Sequence, residues 1–174
     1  MLMGNRIPCE YFITSGCGES DIAIYPGAFD KALKEAGIWN CNIITYSSIL
    51  PKNARKVEAI PKLEHGCVLE TIMARQDGKA GETLTAGLIM GWLYKNGERV
   101  GGLVSEYNGN LSEEEAREEL KKRLNEMFKE RCKEEDMELK DIEIHLRSFI
   151  PKKKWGSVVV AICFVSYEYP ELQS

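Results

Sequence analysis

The chain has no apolar stretch approaching the roughly 20 consecutive residues that a membrane-spanning helix takes, and its opening run, MLMGNRIPCEYF, contains no continuous hydrophobic region. No membrane partner and no signal peptide are expected, which makes the cytoplasm the expected compartment. Excess positive charge is also lacking. The 23 Lys and Arg residues stand against 27 Asp and Glu, for a formal net charge of −4. Nucleic acid is therefore not an expected partner, because phosphate binding needs a basic surface. The one dense lysine run, Lys152 to Lys154, reads as a solvated turn between two strands. There are only two histidines, His65 and His145, set far apart, and there is no C-x-x-C pair. No metal site is expected from so thin a set of ligands. The six cysteines lie at positions 9, 17, 41, 67, 132 and 163. Without an export signal, and with Cys67 and Cys163 inside apolar runs, they read as reduced, buried thiols and not as a disulfide framework. The sequence has no P-loop, no G-x-G-x-x-G opening a helix after a strand, and no G-x-S-x-G elbow. Neither histidine lies in a context that suggests a nucleophilic triad.

What is present is enough for one domain with a core of its own: 174 residues, 44% hydrophobic and 29% charged. A short helix is expected from Pro26 to Gly37, with Phe29, Ala32, Leu33 and Ala36 as its apolar stripe. Asp30 and Leu33 are three residues apart and are expected on one side of it. Strands are expected over Asn42–Tyr46, Cys67–Met73, Leu84–Leu93 and Val100–Glu106, with glycines punctuating them. Leu111 to Lys133 reads as an amphipathic helix. Ser112 and Glu115 form a capping box, Ala116, Leu120, Leu124, Met127 and Phe128 recur at helical spacing, and the charged face reads as solvated. Ile142, Ile144 and Leu146 alternate with polar residues in a strand with one wet side. Val158 to Tyr167 is apolar on both sides and is expected to be a central strand. The order of elements is that of an α+β domain in which helices cover sheet.

Two places depart from this ordinary pattern. In Tyr46-Ser47-Ser48-Ile49-Leu50-Pro51, two serines interrupt an apolar strand just before a proline. By itself this reads as a strand ending in a turn, with the hydroxyls capping loose backbone groups. In Val104-Ser105-Glu106-Tyr107, a carboxyl group ends an apolar strand. It reads either as a solvated strand end or as a partly desolvated acid able to deliver a proton near neutrality.

Taken in order along the chain, several segments resemble the pyruvoyl-dependent arginine decarboxylases. They are Gly18-Glu19-Ser20, Ala28-Phe29-Asp30-Lys31-Ala32-Leu33, Asn40-Cys41-Asn42-Ile43-Ile44, Tyr46 to Pro51, His65-Gly66-Cys67-Val68-Leu69, and Ser105-Glu106-Tyr107. The resemblance implies a four-layer α/β/β/α sandwich of mostly antiparallel sheets. It also implies a proenzyme of residues 1–174 that cleaves itself between Ser47 and Ser48 into a β chain, 1–47, and an α chain, 48–174. The Ser48 hydroxyl would attack the Ser47 carbonyl, and the residue left at 48 would become a covalent pyruvoyl cofactor, with no metal and no pyridoxal phosphate. Asn42 matches the family's asparagine that assists processing. Glu106 matches its proton donor in a Schiff-base decarboxylation of L-arginine to agmatine and CO₂. Asp30 matches the carboxylate that pairs with the guanidinium, with Leu33 and the new C-terminal Ser47 also at the substrate. An (αβ)₃ trimer or a multiple of it, with sites between subunits, is implied as well.

Ser105 and the stretch from Cys17 to Pro26 depart from the family pattern at positions that bear on substrate choice. Two alternatives stand beside this reading. One is an uncleaved structural or regulatory homologue, and the other is a decarboxylase of a different amino acid, such as histidine or aspartate.

Overall fold

A computed structural model describes residues 4–132 and 135–171. In chain order they form strands β1 (Ile7–Pro8) and β2 (Glu10–Ser20), helix α1 (Phe29–Glu35), strands β3 (Asn42–Thr45), β4 (Ile49–Pro51), β5 (Arg55–Lys56), β6 (Val68–Lys79), β7 (Leu84–Lys95) and β8 (Glu98–Gly109), helix α2 (Glu113–Cys132), and strands β9 (Glu138–Phe149), β10 (Trp155–Phe164) and β11 (Tyr167–Glu168). Lys133, the expected last residue of the long helix, lies outside the described residues. One sheet has five strands in the order β3-β6-β10-β2-β5, a second has four in the order β4-β8-β7-β9, and β1 pairs with β11. Most pairings are antiparallel, while β3 runs parallel to β6 and β5 to β2. The class is α+β.

Alternation along the strands shows how the layers meet. Val158, Val160, Ile162 and Phe164 of β10 join Leu84, Leu88, Met90 and Val104 of the second sheet in one core. Val159, Ala161 and Cys163, the residues in between, join Phe29, Ala32 and Leu33 of α1 in another. A third core places Ile89, Leu103 and Tyr107 against Ala116, Leu120 and Leu124 of α2. The β10 strand is thus apolar on both sides because both sides are covered, and it is central as expected. Each fully buried Val, Ile or Phe contributes about 1.5–3 kcal/mol of transfer free energy.

One local expectation changes, and one strand had no expectation at all. Helix α1 begins at Phe29 and not at Pro26, because Pro26 (φ −70°, ψ 143°) and Gly27 (φ 156°, ψ −96°) are not helical. Its end is as expected, with Gly37 at φ +76°. Strand β2 carries no clear alternating signal, since Gly16 and Gly18 interrupt it, yet it pairs with β10 from Tyr11 to Ser20. The two glycines permit close approach and do not mark a turn. A Cβ at residue 16 would lie 2.2 Å from the Ala32 carbonyl oxygen, and one at residue 18 would lie 2.3 Å from that of Ala28. Helix α1 therefore rests directly on the backbone of β2.

The start of α2 matches the capping box. The Ser112 amide donates to Glu115 Oε2 (2.9 Å), and the Glu115 amide donates to Ser112 Oγ (3.3 Å). Lys152–Lys154 form an exposed bend between β9 and β10. Among the described residues no helix is long and apolar enough to cross a membrane.

Candidate active site

Residues 46–48 carry the chain from one sheet to the other. The Tyr46 amide donates to the Thr71 carbonyl (2.7 Å), its last bond to the five-stranded sheet, and the Ser48 carbonyl accepts from the Val104 amide (3.0 Å), its first bond to the four-stranded sheet. Pairing with β8 then continues from Ile49 opposite Leu103. The Ser47–Ser48 peptide unit is the bridge between the two layers, and neither ladder depends on it. Ser48 sits there at φ +56°, in the left-handed region. That conformation costs a residue with a Cβ roughly 1–2 kcal/mol, and the pairing on either side holds it in place.

Glu106 reaches this crossing from β8. Val104 faces the core between the sheets, whereas Leu103 and Tyr107 face α2. By strand alternation Glu106 points between the sheets and Ser105 points the other way. The departure from the family pattern at Ser105 therefore lies on the face turned from Glu106. The Ser48 hydroxyl donates to Glu106 Oε1 in a short hydrogen bond. Burial pushes the Glu106 carboxyl above the usual carboxylate range, and the Ser48 hydroxyl pulls it partly back. A half-buried carboxyl aimed at a serine hydroxyl can accept that proton when ionised and deliver one when neutral. Behind it, Arg123 Nη1 donates to the Glu106 carbonyl (3.0 Å), and the guanidinium lies 5.4 Å from the centre of the Tyr107 ring. The charged side of α2 is thus not wholly solvated, because Arg123 braces the strand that carries Glu106.

A second carboxylate lies beside the crossing. Glu70 on β6 is only 2% exposed. It occupies an inward phase of the strand, shared with Ile72 and Ala74, where an apolar residue would ordinarily stand. It accepts a short hydrogen bond from the Tyr46 hydroxyl and pairs with Arg6. Arg6, Pro8, Tyr46, Ser47 and Ile49 line a cavity of about 270 Å³ at the crossing. The sequence reading gave no site role to Arg6, Glu70 or Arg123, and none to the Tyr46 side chain. For Glu70 a signal was there, an acid at an inward position of an apolar strand. Tyr46→Phe removes a donor from a buried carboxylate and is expected to lower stability by about 1–3 kcal/mol, measurable by denaturant unfolding.

The other expected site residues lie elsewhere in the chain. Asn42 is exposed at the start of β3, and its side-chain amide donates to the Gly66 carbonyl (2.9 Å). With Tyr25, Phe29, Leu33, Cys41, Ile43, Thr45, Met73 and Arg75 it lines a cavity of about 450 Å³. Leu33 is buried in the core beneath α1, whereas Asp30 is exposed. The two are close in helical phase, but Asp30 has the solvent side and only Leu33 lines the cavity. The two cavities share no residue. One chain thus brings Ser47, Ser48 and Glu106 together and sets Asp30, Leu33 and Asn42 at a second place. The histidines belong to neither: His65 lies edge-on to Trp39, and His145 bonds Glu143. Among the described residues, no group of three His, Cys, Asp or Glu side chains is placed to hold a metal ion.

Known proteins are similar to this chain over most of its length. The family described as "Pyruvoyl-dependent arginine decarboxylase (PvlArgDC)" matches residues 10–169. The chain is 34% identical to the pyruvoyl-dependent arginine decarboxylase AaxB of Chlamydia abortus, covering 97% of this chain and 96% of that protein. It is 33% identical to the protein of the same name from Chlamydia pneumoniae, over 98% of this chain and 97% of that one. With the pyruvoyl-dependent arginine decarboxylase of Pyrococcus abyssi the identity is 34%, over 80% of this chain and 85% of the relative. A serine hydroxyl held on a half-buried carboxyl, in a chain so similar to these proteins, places it plainly: it belongs to the pyruvoyl-dependent arginine decarboxylase family, whose members depend on a pyruvoyl group.

Proposed function

We propose that the protein is made as a single unit of residues 1–174, cleaves itself between Ser47 and Ser48, and then decarboxylates L-arginine to agmatine. The observation that carries this reading is the Ser48 hydroxyl donating to Glu106 from a left-handed backbone. Glu106, ionised, takes the hydroxyl proton. The Ser48 oxygen adds to the Ser47 carbonyl carbon, and the peptide becomes an ester as the C–N bond opens. Elimination across Cα–Cβ of residue 48 then releases a chain ending in the Ser47 carboxylate. The residue left at 48 loses ammonia to water.

Ser48 suits the group that this chemistry leaves. It is half-buried, its side chain faces a proton-carrying acid, and the backbone around it is fixed by two sheets. A pyruvoyl group at residue 48 would supply the electron-withdrawing carbonyl that a decarboxylation of an amino acid needs. The residues of the chain do the rest. Glu106, with its affinity for protons raised by burial, supplies the proton that replaces the carboxylate. Ser47 and Tyr46 wall the cavity beside it. Asp30 offers a carboxylate for a two-pronged pair with the guanidinium, and Leu33 offers an apolar wall for the aliphatic stem.

The separation of these two groups within one chain supports a site shared between copies. A second copy in an (αβ)₃ trimer would bring the Asp30, Leu33 and Asn42 side to the Ser48 and Glu106 side. The three cores described above fit the four-layer α/β/β/α order in which such subunits would pack. Cleavage would leave each subunit whole, because β2 of the 1–47 chain lies between β10 and β5 of the other.

Asp30 gives the test of substrate. With arginine, Asp30→Asn is expected to raise KM about tenfold or more, corresponding to roughly 1.5–3 kcal/mol for a hydrogen bond to a charged group, and to change kcat less. Steady-state release of CO₂ from arginine, lysine, histidine and aspartate checks it. Unchanged use of arginine by the variant would remove Asp30 from the site, and preference for an anionic substrate would overturn arginine itself.

A further inference from the structure

Cys41 and Cys67 stand opposite each other where β3 and β6 begin. The parallel register pairs Asn42 with Val68, so the two cysteines occupy the preceding opposed positions, and the Asn42 backbone N–H donates to the Cys67 carbonyl (2.8 Å). Their sulfurs are 3.4 Å apart. Adjacent strands lie about 4.7–4.9 Å apart, within the roughly 4.4–6.8 Å range of Cα separations that a disulfide spans. Both residues are partly exposed, and both are free thiols. The sequence reading expected Cys67 to be buried, but the sheet edge at β3 leaves it open. Cys163, the third thiol of this neighbourhood, is fully buried and does not compete.

The chain order gives this pair a consequence. Cys41 precedes Ser47 and Cys67 follows Ser48. Accepting the cleavage proposed above, one thiol belongs to residues 1–47 and the other to residues 48–174. We propose that Cys41 and Cys67 form a redox-responsive cross-linking site whose oxidation ties the two processed chains together covalently, across the cut, at the wall of the cavity that Leu33 and Asn42 line.

Burial, with the neighbouring Cys67 thiol, pushes the Cys41 thiol up to about 12. One thiol of the pair gives up its proton and attacks a low-molecular-weight disulfide such as oxidised glutathione, releasing one equivalent of thiol. The other then gives up its proton and displaces the second equivalent from the mixed disulfide. Two protein thiols are oxidised and one small disulfide is reduced to two thiols.

The purified protein, incubated with excess oxidised glutathione and alkylated, is run on denaturing gels with and without dithiothreitol. The expected result is two bands with reductant and one joined band without it, the joined species being lighter by two hydrogens than the sum of the two chains. Cys41→Ser and Cys67→Ser should each restore two bands in both lanes. Two bands throughout in the native sequence, with Cys41 and Cys67 both alkylated, would overturn the proposal, and so would a joined band that persists in Cys41→Ser. A failure of cleavage looks different, as one band even with reductant. Peptide mapping of that uncut chain then decides the cross-link separately: a Cys41–Cys67 linked peptide supports it, and alkylation of both residues refutes it.

Discussion

Ser48→Ala is expected to stop cleavage completely. The variant should remain one uncut chain, give no adduct with a carbonyl-trapping reagent, and release no CO₂ from arginine. No other side chain at the crossing replaces the lost nucleophile: the Ser47 hydroxyl belongs to the residue whose carbonyl is attacked, and Glu106 is left facing a methyl group. Ser48→Gly should be equally inactive but should differ in stability. Alanine keeps the left-handed penalty of roughly 1–2 kcal/mol, which glycine escapes. Glycine loses about 0.4–1 kcal/mol through the greater freedom of its unfolded chain. The glycine variant is therefore expected to be more stable than the alanine variant by about 1 kcal/mol. A glycine variant less stable than the alanine variant by about 0.4–1 kcal/mol would mean that the backbone at residue 48 carries no strain.

Glu106→Gln is expected to impair both stages. Glutamine keeps the size of the side chain but neither accepts the Ser48 proton nor returns one, and general acid–base catalysis is worth about 10²–10⁴-fold. Cleavage of the variant should slow by at least 10²-fold, and any processed fraction should turn over arginine more slowly by a similar factor. Sequence reasoning gave Glu106 the protonation step alone. Under the proposed cleavage, its hydrogen bond from the Ser48 hydroxyl gives it the first step as well.

The raised proton affinity of Glu106 fixes the sign of the pH effects. Cleavage needs the ionised form, so its rate should climb as pH rises through the raised folded value. Turnover needs the protonated form and should fall over the same interval. Stability follows linkage: with a folded pKa above the unfolded one, the contribution of Glu106 is complete below the ordinary carboxylate range and is lost as pH rises through the folded value. Glu106→Gln should flatten that limb of both the activity and the stability profiles.

What the sequence disclosed was mostly local or periodic. The capping box of Ser112 and Glu115 involves neighbours within one turn, and it was legible. The two-sided apolar run of β10 was legible too, because burial on both faces leaves no polar phase. Strand β2 was not. Gly16 and Gly18 look like breaks in a pattern, and only the helix lying on them explains their smallness. The start of α1 was misplaced because proline at an early helical position and proline in an extended turn look the same in sequence. At the site, Ser47, Ser48 and Glu106 emerged through resemblance, yet their meeting depends on the pairing of β4 with β8, which no local rule encodes. Glu70 and Arg6 were missed because they are 64 residues apart and meet only through the fold. Asn42 and Asp30 could be matched by position, but their surroundings in the chain, the Gly66 carbonyl for one and solvent for the other, could not be read in advance.

Intact mass spectrometry of freshly purified protein under denaturing, reducing conditions tests the central claim most directly. Two species should be found, one matching residues 1–47 with a free C-terminal carboxylate and the other matching residues 48–174 with a pyruvoyl group at its start, a keto oxygen in place of the Ser48 amine and a methyl in place of its hydroxymethyl. A single species with the mass of the unmodified 174-residue chain, in a sample that nonetheless converts arginine to agmatine, would contradict the account.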